Sequence, residues 1–250
     1  MKISIVTPVY NDVRVARALD SVLGQRLQGE LETIVIDGAS KDGTLKILEN
    51  YRSRLSVLLS EDDRGIYDAM NKGVQRATGE IVGILNADDR YADENVLQDV
   101  LKAFEDPSVQ AVYGDLVYVD ANDSVVRYWR SVPYRRWRFY LGWMAPHPTF
   151  FVRRSLYQQH GLFDLKLGVS ADYEIILRFL MKHRAKPAYV PRVLVRMATG
   201  GNSNKSLRNI LRGNKEVLMS WRKNRLPMGY FVPVIKPFSK LVQFVSRPIG

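Results

Sequence analysis

Five residues with apolar side chains or none, Ile81-Val82-Gly83-Ile84-Leu85, run straight into Asn86-Ala87-Asp88-Asp89. An amide and two adjacent carboxylates then stand where a buried strand reaches solvent. In an open α/β sheet, ligands collect just beyond the carboxyl ends of the strands. Hard oxygen donors at such a place suit Mg²⁺ or Mn²⁺, which in phosphate chemistry take one or two carboxylates and fill the remaining positions with water and phosphate oxygens. Taken alone, the same residues also make an ordinary acidic turn.

The neighbouring elements decide between the two. Apolar runs over 2–7, 31–36, 55–60, 81–85 and 111–113 predict strands. Helical spacing over 13–24, 44–51, 65–78 and from Asp93 onward predicts the helices between them, with Gly24 and Gly79 as stops and Asp93 as N-cap. Alternating strands and helices with short connections indicate a single, mostly parallel sheet flanked by helices. Right-handed crossovers gather the strand ends on one edge. Four of those ends are polar: Thr7-Pro8-Val9-Tyr10-Asn11, Asp37-Gly38-Ala39-Ser40, Glu61-Asp62-Asp63-Arg64 and Asn86-Ala87-Asp88-Asp89. Several polar ends on one edge make a site. Beyond residue 116 the alternation gives way to a hairpin over 116–129, an arginine–aromatic run at 134–140, a short helix over 153–161 and a helix over 171–183.

Composition narrows the classes. With 46% hydrophobic and 25% charged residues among 250, the chain reads as an ordinary globular protein. No cysteine is present, so disulfides and thiolate metal sites are excluded. The first residues lack a signal-peptide pattern, and no apolar run reaches the roughly 18 residues of a membrane span, so a cytoplasmic location is expected. The net charge of +11 is unevenly placed: residues 205–250 hold ten Lys/Arg and one acid, and residues 124–163 hold seven Arg and no acid. The rest is mildly acidic. Such asymmetry points to a polyanionic surface, nucleic acid or anionic lipid.

Thr7-Pro8-Val9-Tyr10-Asn11, Asp37-Gly38-Ala39-Ser40-Lys41-Asp42-Gly43-Thr44, Asp63-Arg64-Gly65-Ile66-Tyr67-Asp68-Ala69-Met70-Asn71-Lys72-Gly73 and Asn86-Ala87-Asp88-Asp89 together, in this order and spacing, resemble the family 2 glycosyltransferases of GT-A fold. The likeness runs from residue 3 to about residue 203 and is greatest to bacterial enzymes of capsule, exopolysaccharide and O-antigen (colanic-acid-type) synthesis. It implies a GT-A domain over 1–204, with a nucleotide-binding half (1–115) and an acceptor half (116–204), followed by a basic amphipathic extension over 205–250. The implied activity is hexosyltransferase-type: inverting transfer of a sugar from a nucleotide-diphosphate donor to an acceptor hydroxyl, with Mg²⁺ or Mn²⁺.

By the same resemblance Thr7, Pro8, Tyr10 and Asp37 line the nucleoside pocket. Arg64, Asp68, Asn71 and Lys72 serve base, phosphate or donor sugar from the start of a helix. The family's metal motif is usually Asp-x-Asp, and here an amide stands first. Asn86, with Ala87 beside it, is therefore assigned to the ribose, Asp88 to the metal, and Asp89 as a second ligand or orienter. Asp172, in Ser170-Ala171-Asp172-Tyr173-Glu174, matches the family's catalytic base, and Glu174 is the poorer candidate. His147, held between two prolines, faces the donor–acceptor junction, and Ser203 lies in a Gly-rich loop able to close over the diphosphate.

Trp221 and the Leu and Ile residues of the 205–225 helix, beside Lys and Arg, suit a helix lying on an anionic membrane, where a lipid-linked glycan acceptor would be presented. The alternative is a helix packed on the domain. Two other functions compete. A sugar nucleotidyltransferase would need a Gly-rich basic loop after the first strand, where Pro8-Val9-Tyr10-Asn11-Asp12 stands instead. A nucleic-acid binder would leave the acidic strand ends without a purpose, so no nucleic-acid partner is expected.

Overall fold

The computed structural model describes residues 1–199 and 207–227, the side chains of 207–210 excepted. The strands are β1 (Lys2–Val9), β2 (Glu30–Asp37), β3 (Val57–Ser60), β4 (Ile81–Ile84), β5 (Asp89–Tyr91), β6 (Ala111–Val119), β7 (Val125–Trp129), β8 (Phe151–Arg153) and β9 (Pro187–Ala198). The helices are α1 (Val15–Leu23), α2 (Thr44–Tyr51), α3 (Ile66–Arg76), α4 (Val96–Ala103), α5 (Arg154–His160), α6 (Ala171–Leu177) and α7 (Leu207–Lys223). α6 continues into a π-helical turn, Arg178–Lys182.

One sheet runs β3-β2-β1-β4-β8-β6-β9-β5, with β7 added to β6. β1 pairs parallel with β2 and β4, and β2 parallel with β3, as the βαβ alternation requires. β8 is antiparallel to both its neighbours, β4 and β6. β4 is apolar throughout because both its faces are covered, and all four of its residues are buried. On one face α3 and α6 enclose Val6, Met70, Val74, Ile176 and Phe179; on the other, α1 and α4 enclose Ile5, Val22, Val100 and Phe151. α3 lies so close to β1 that a Cβ on Gly73 would stand 2.2 Å from Val6 Cγ1.

Several boundaries differ from the sequence reading. Asp93 does not cap α4: its carboxylate accepts the Asn95 N–H (2.9 Å) in a turn, and Asn95 is the N-cap. Strand β6 continues without a break from Ala111 into the hairpin. The arginine–aromatic run forms a 3₁₀ turn over Arg136–Leu141. Strands β5, β8 and β9 were not expected. β9 pairs with β6 along its length, and the register shifts on either side of Asp115.

The basic helix α7 is part of the domain and packs on α6. Val217 and Trp221 are buried, and the Trp221 indole N–H donates to the Tyr173 hydroxyl on α6 (2.8 Å). Trp221, expected as a membrane anchor, therefore faces inward. The remainder of the extension, with Phe238, Leu241, Val242 and Val245, lies outside the described residues.

Candidate active site

The carboxyl ends of β1, β2 and β4 open on one edge. Asp37, the last residue of β2, is fully buried, and its carboxylate accepts the hydroxyls of Ser40 (2.5 Å) and Ser60 (2.6 Å) and the Ser40 N–H (3.1 Å). Asn11, left-handed at φ 48°, completes the wall: its N–H donates to Ser40 Oγ (2.8 Å), and its Oδ1 accepts the Lys41 N–H (2.8 Å). Tyr10 and the Asp63 carboxylate both press on Gly38, where a Cβ would stand 2.4 Å from Asp63 Oδ2. Tyr10 is 59% exposed, a flat ring beside a buried carboxylate. Thr7 and Pro8 lie on β1 beside Val35 and Ile36 of β2, and Thr7 Oγ1 is buried with no partner among the described residues.

The acidic pair occupies the end of β4. Asp89 begins β5, is 1% exposed, and accepts the Asn86 side-chain N–H (3.1 Å). Asp89 Oδ1 and Asn86 Oδ1 are buried without partners among the described residues. Asp88 lies 3.4 Å from Arg14, whose guanidinium pairs more closely with Asp12 (2.6 Å). Burial, and then the neighbouring Asp88 charge, push the Asp89 carboxyl well above its usual range; burial also raises Asp88, against the pull of Arg14. Two carboxylates and an amide oxygen, crowded and undercompensated, fit a hard divalent cation. Among the described residues no three His, Cys, Asp or Glu residues form a metal cage.

Register ties this pair to the acceptor half. Asp89 on β5 and Tyr118 on β6 both pair with Met197 of β9, so the two side chains share a face with one strand between them, about 10 Å apart along the row. Arg127 of β7 continues the row and sets its guanidinium 4.6 Å from the centre of the Tyr118 ring. Burial raises the Tyr118 phenol, Arg127 opposes this, and the charges of Asp89 and Asp172 both add to it. Asp172 stands in the first turn of α6. Its Oδ1 accepts the Tyr67 hydroxyl (3.3 Å), which also lies 3.1 Å from the Val169 carbonyl. His147 is also there: burial lowers its pKa, the Asp172 charge partly offsets this, and its ring meets Phe163 edge-on.

Other expected residues stand differently. Both ends of the Asn71 amide are engaged by the Phe163 backbone (2.9 Å each), so it ties α3 to the acceptor half and does not face the opening. Asp68 pairs with Arg64 (2.9 Å) and accepts the Arg64 N–H, holding the start of α3, while the Arg64 side chain stays largely exposed. Lys72 reaches the Asp62 carbonyl (2.7 Å) and Glu61 (2.9 Å). Ala87 is buried between Asn86 and Asp88. Glu174 is fully buried, held by Arg178 (3.0 Å) and Asn224 (2.9 Å), which removes it from any exposed chemistry. Ser203 lies outside the described residues. Arg14, Tyr118 and Arg127 were missed. Arg14 sits at a helix start that reads as surface, and the other two face the site only because β9 lies where it does.

The model of glycosyl transferase family 2 matches residues 4–161. The chain belongs to glycosyl transferase family 2. An uncharacterised glycosyltransferase of Mycobacterium tuberculosis is 32% identical over 70% of this chain and 68% of its own length. A PGL/p-HBAD biosynthesis glycosyltransferase of the same species is 32% identical over 90% of this chain and 84% of its own. Among solved structures, the mannosyltransferase PcManGT of Pyrobaculum calidifontis, in complex with GDP-Man and Mn²⁺, superimposes with a TM-score of 0.67 at 20% identity, covering 97% of this chain and 73% of that one. S. aureus TarS 1–349 in complex with UDP gives 0.63 at 21% identity, covering 87% of this chain and 66% of that one. This family 2 glycosyltransferase therefore has the GT-A fold, with its polar strand ends and acidic pair at the carboxyl edge of the parallel strands.

Proposed function

We propose that this glycosyltransferase transfers a sugar from a nucleotide-diphosphate donor to a hydroxyl of a glycan or lipid-linked acceptor, inverting the anomeric carbon in one displacement. The acidic pair at the end of β4 carries the reading, with Asp89 set in one row with Tyr118 of the acceptor half across Met197. The nucleoside would lie against Asp37 and Tyr10, with the diphosphate directed toward Asp88. Asp88 and Asp89 would hold Mg²⁺ or Mn²⁺, which when bound neutralises charge on the diphosphate. The Asp172 carboxylate accepts the acceptor O–H proton as that oxygen forms its bond to C1. The C1–O bond to the β-phosphate breaks on the opposite face, and its electron pair leaves with the nucleoside diphosphate. His147, kept neutral by burial, can hydrogen-bond at the junction without adding charge. The nucleotides named with TarS and PcManGT support a sugar-nucleotide donor.

Asp172→Asn should remove transfer by about a hundredfold or more, the usual worth of a positioned base, while nucleotide binding persists. Turnover near wild type in that variant would end the base assignment. A panel of sugar nucleotides, each scored for metal-dependent thermal stabilisation, would identify the donor.

One surface favours an acceptor presented at a membrane. Leu211 (70% exposed) and Met219 (43%) lie outward on α7, about two turns apart, with exposed Lys215 between them. Among the described residues no helix is long and apolar enough to cross a bilayer, so attachment at the cytoplasmic leaflet would be peripheral. Co-sedimentation with vesicles containing anionic lipid should fall for Leu211→Glu/Met219→Glu; unchanged binding would remove α7 from that role.

A further inference from the structure

Residues 205–250 contain a single acid, Glu216, and it is buried at 4% exposure. Its carboxylate is turned toward a loop. Oε1 accepts the Gly168 N–H (3.0 Å), and Oε2 accepts the N–H groups of Val169 and Ser170 (2.9 Å each). Ser170 is the N-cap of α6, but its hydroxyl caps nothing there and reaches back to the Gly213 carbonyl on α7 (3.3 Å). The amide groups at the start of a helix need acceptors and favour negative charge. Here a carboxylate from a helix far along the chain serves those leading into α6. Arg212 closes the arrangement, bonding Glu216 Oε1 (2.8 Å) and lying over Gly168, where a Cβ would stand 2.2 Å from its guanidinium. On the other side, the Val169 carbonyl lies within reach of the Tyr67 hydroxyl, which also donates toward Asp172. Residues 168–170 are thus clamped between α7 and α3 immediately before the carboxylate assigned as base.

We infer that Glu216 is a positioning residue for this transferase, fixing through the 168–170 backbone the direction from which Asp172 meets the acceptor hydroxyl. The inference rests on Asp172 being the base. It makes α7 a working part of the acceptor half.

Glu216→Gln tests it. An amide offers one acceptor oxygen, so its NH₂ end must face an N–H that the carboxylate accepted. Displacing a reacting group by a fraction of an ångström to about 1 Å costs up to about a hundredfold in rate. We expect kcat with acceptor to fall about tenfold or more, with donor KM and nucleotide affinity unchanged, at a temperature well below unfolding of the variant. Hydrogen exchange should speed up at Gly168, Val169 and Ser170 and stay slow in β1 and β4. A wild-type kcat, or an equal loss of nucleotide binding that marks general damage, would overturn the positioning role. Asp172→Asn run beside it separates the two readings. If that variant is inactive and Glu216→Gln is normal, only the positioning role falls; an active Asp172→Asn removes both.

Discussion

Trp221→Ala asks whether α7 belongs to the folded domain. The indole is 1% exposed, with its ring 5.1 Å from that of Tyr140 and its N–H on the Tyr173 hydroxyl. Truncating a buried aromatic to Ala costs about 3–5 kcal/mol in transfer energy and cavity, and losing the buried hydrogen bond adds about 1 kcal/mol. Because 1 kcal/mol moves Tm by about 2–4 °C in a chain of this size, a loss of about 4–6 kcal/mol should lower Tm by about 8–24 °C. Trp221→Phe keeps most of the ring and removes the N–H, so about 1–2 kcal/mol is expected. Urea titration followed by tyrosine and tryptophan fluorescence, with calorimetry, measures both. A Trp221→Ala protein melting within about 2 °C of wild type would refute the docked helix. It would return Trp221 to the surface, where lipid could reach it.

Two further outcomes follow from the electrostatics. Asp89→Asn relieves the repulsion between buried Asp89 and half-buried Asp88, so with chelator present the variant should melt above wild type, while stabilisation by Mn²⁺ or Mg²⁺ should shrink; scanning calorimetry with and without the ion reads both, and an Asp89→Asn protein less stable in chelator would contradict the crowding. His147 carries a pKa below the ordinary value of 6.5 because it is buried, so the unfolded chain binds its proton more readily than the folded one. Its contribution is complete above about pH 6.5 and is lost as pH falls below that value. His147→Gln should flatten that part of the Tm–pH curve, and an identical slope in the variant would show that another group sets it.

The parallel half was legible because its strands are rich in Val, Ile and Leu, β4 being an unbroken apolar run, and because Pro, Gly and Asp mark their ends. Asp37, Asp88 and Asp89 followed from that pattern directly. β9 was not legible: Pro191, Arg192 and Arg196 interrupt its apolar pattern, and its pairing depends on register shifts that no local periodicity encodes. With β9 unread, the row from Asp89 through Met197 and Tyr118 to Arg127 could not be drawn. Asn71 reads as a ligand by its place on α3, but only the tertiary contact reveals that the Phe163 backbone occupies its amide. Trp221 was ambiguous for a related reason, since an aromatic beside basic residues serves a lipid surface and a protein groove equally well.

Strand β5 has consequences for when the molecule becomes competent. Asp89 acquires its ladder partner only from Met197, more than a hundred residues later in the chain. As the polypeptide leaves the ribosome from its amino terminus, β1 to β4 can assemble early from local crossovers, but the acidic corner stays open until β9 has emerged and threaded between β6 and β5. A nascent chain halted before residue 187 should therefore bury its first hydrophobic layer while leaving β5 as an unprotected edge. Activity would be the last property this protein gains during its synthesis.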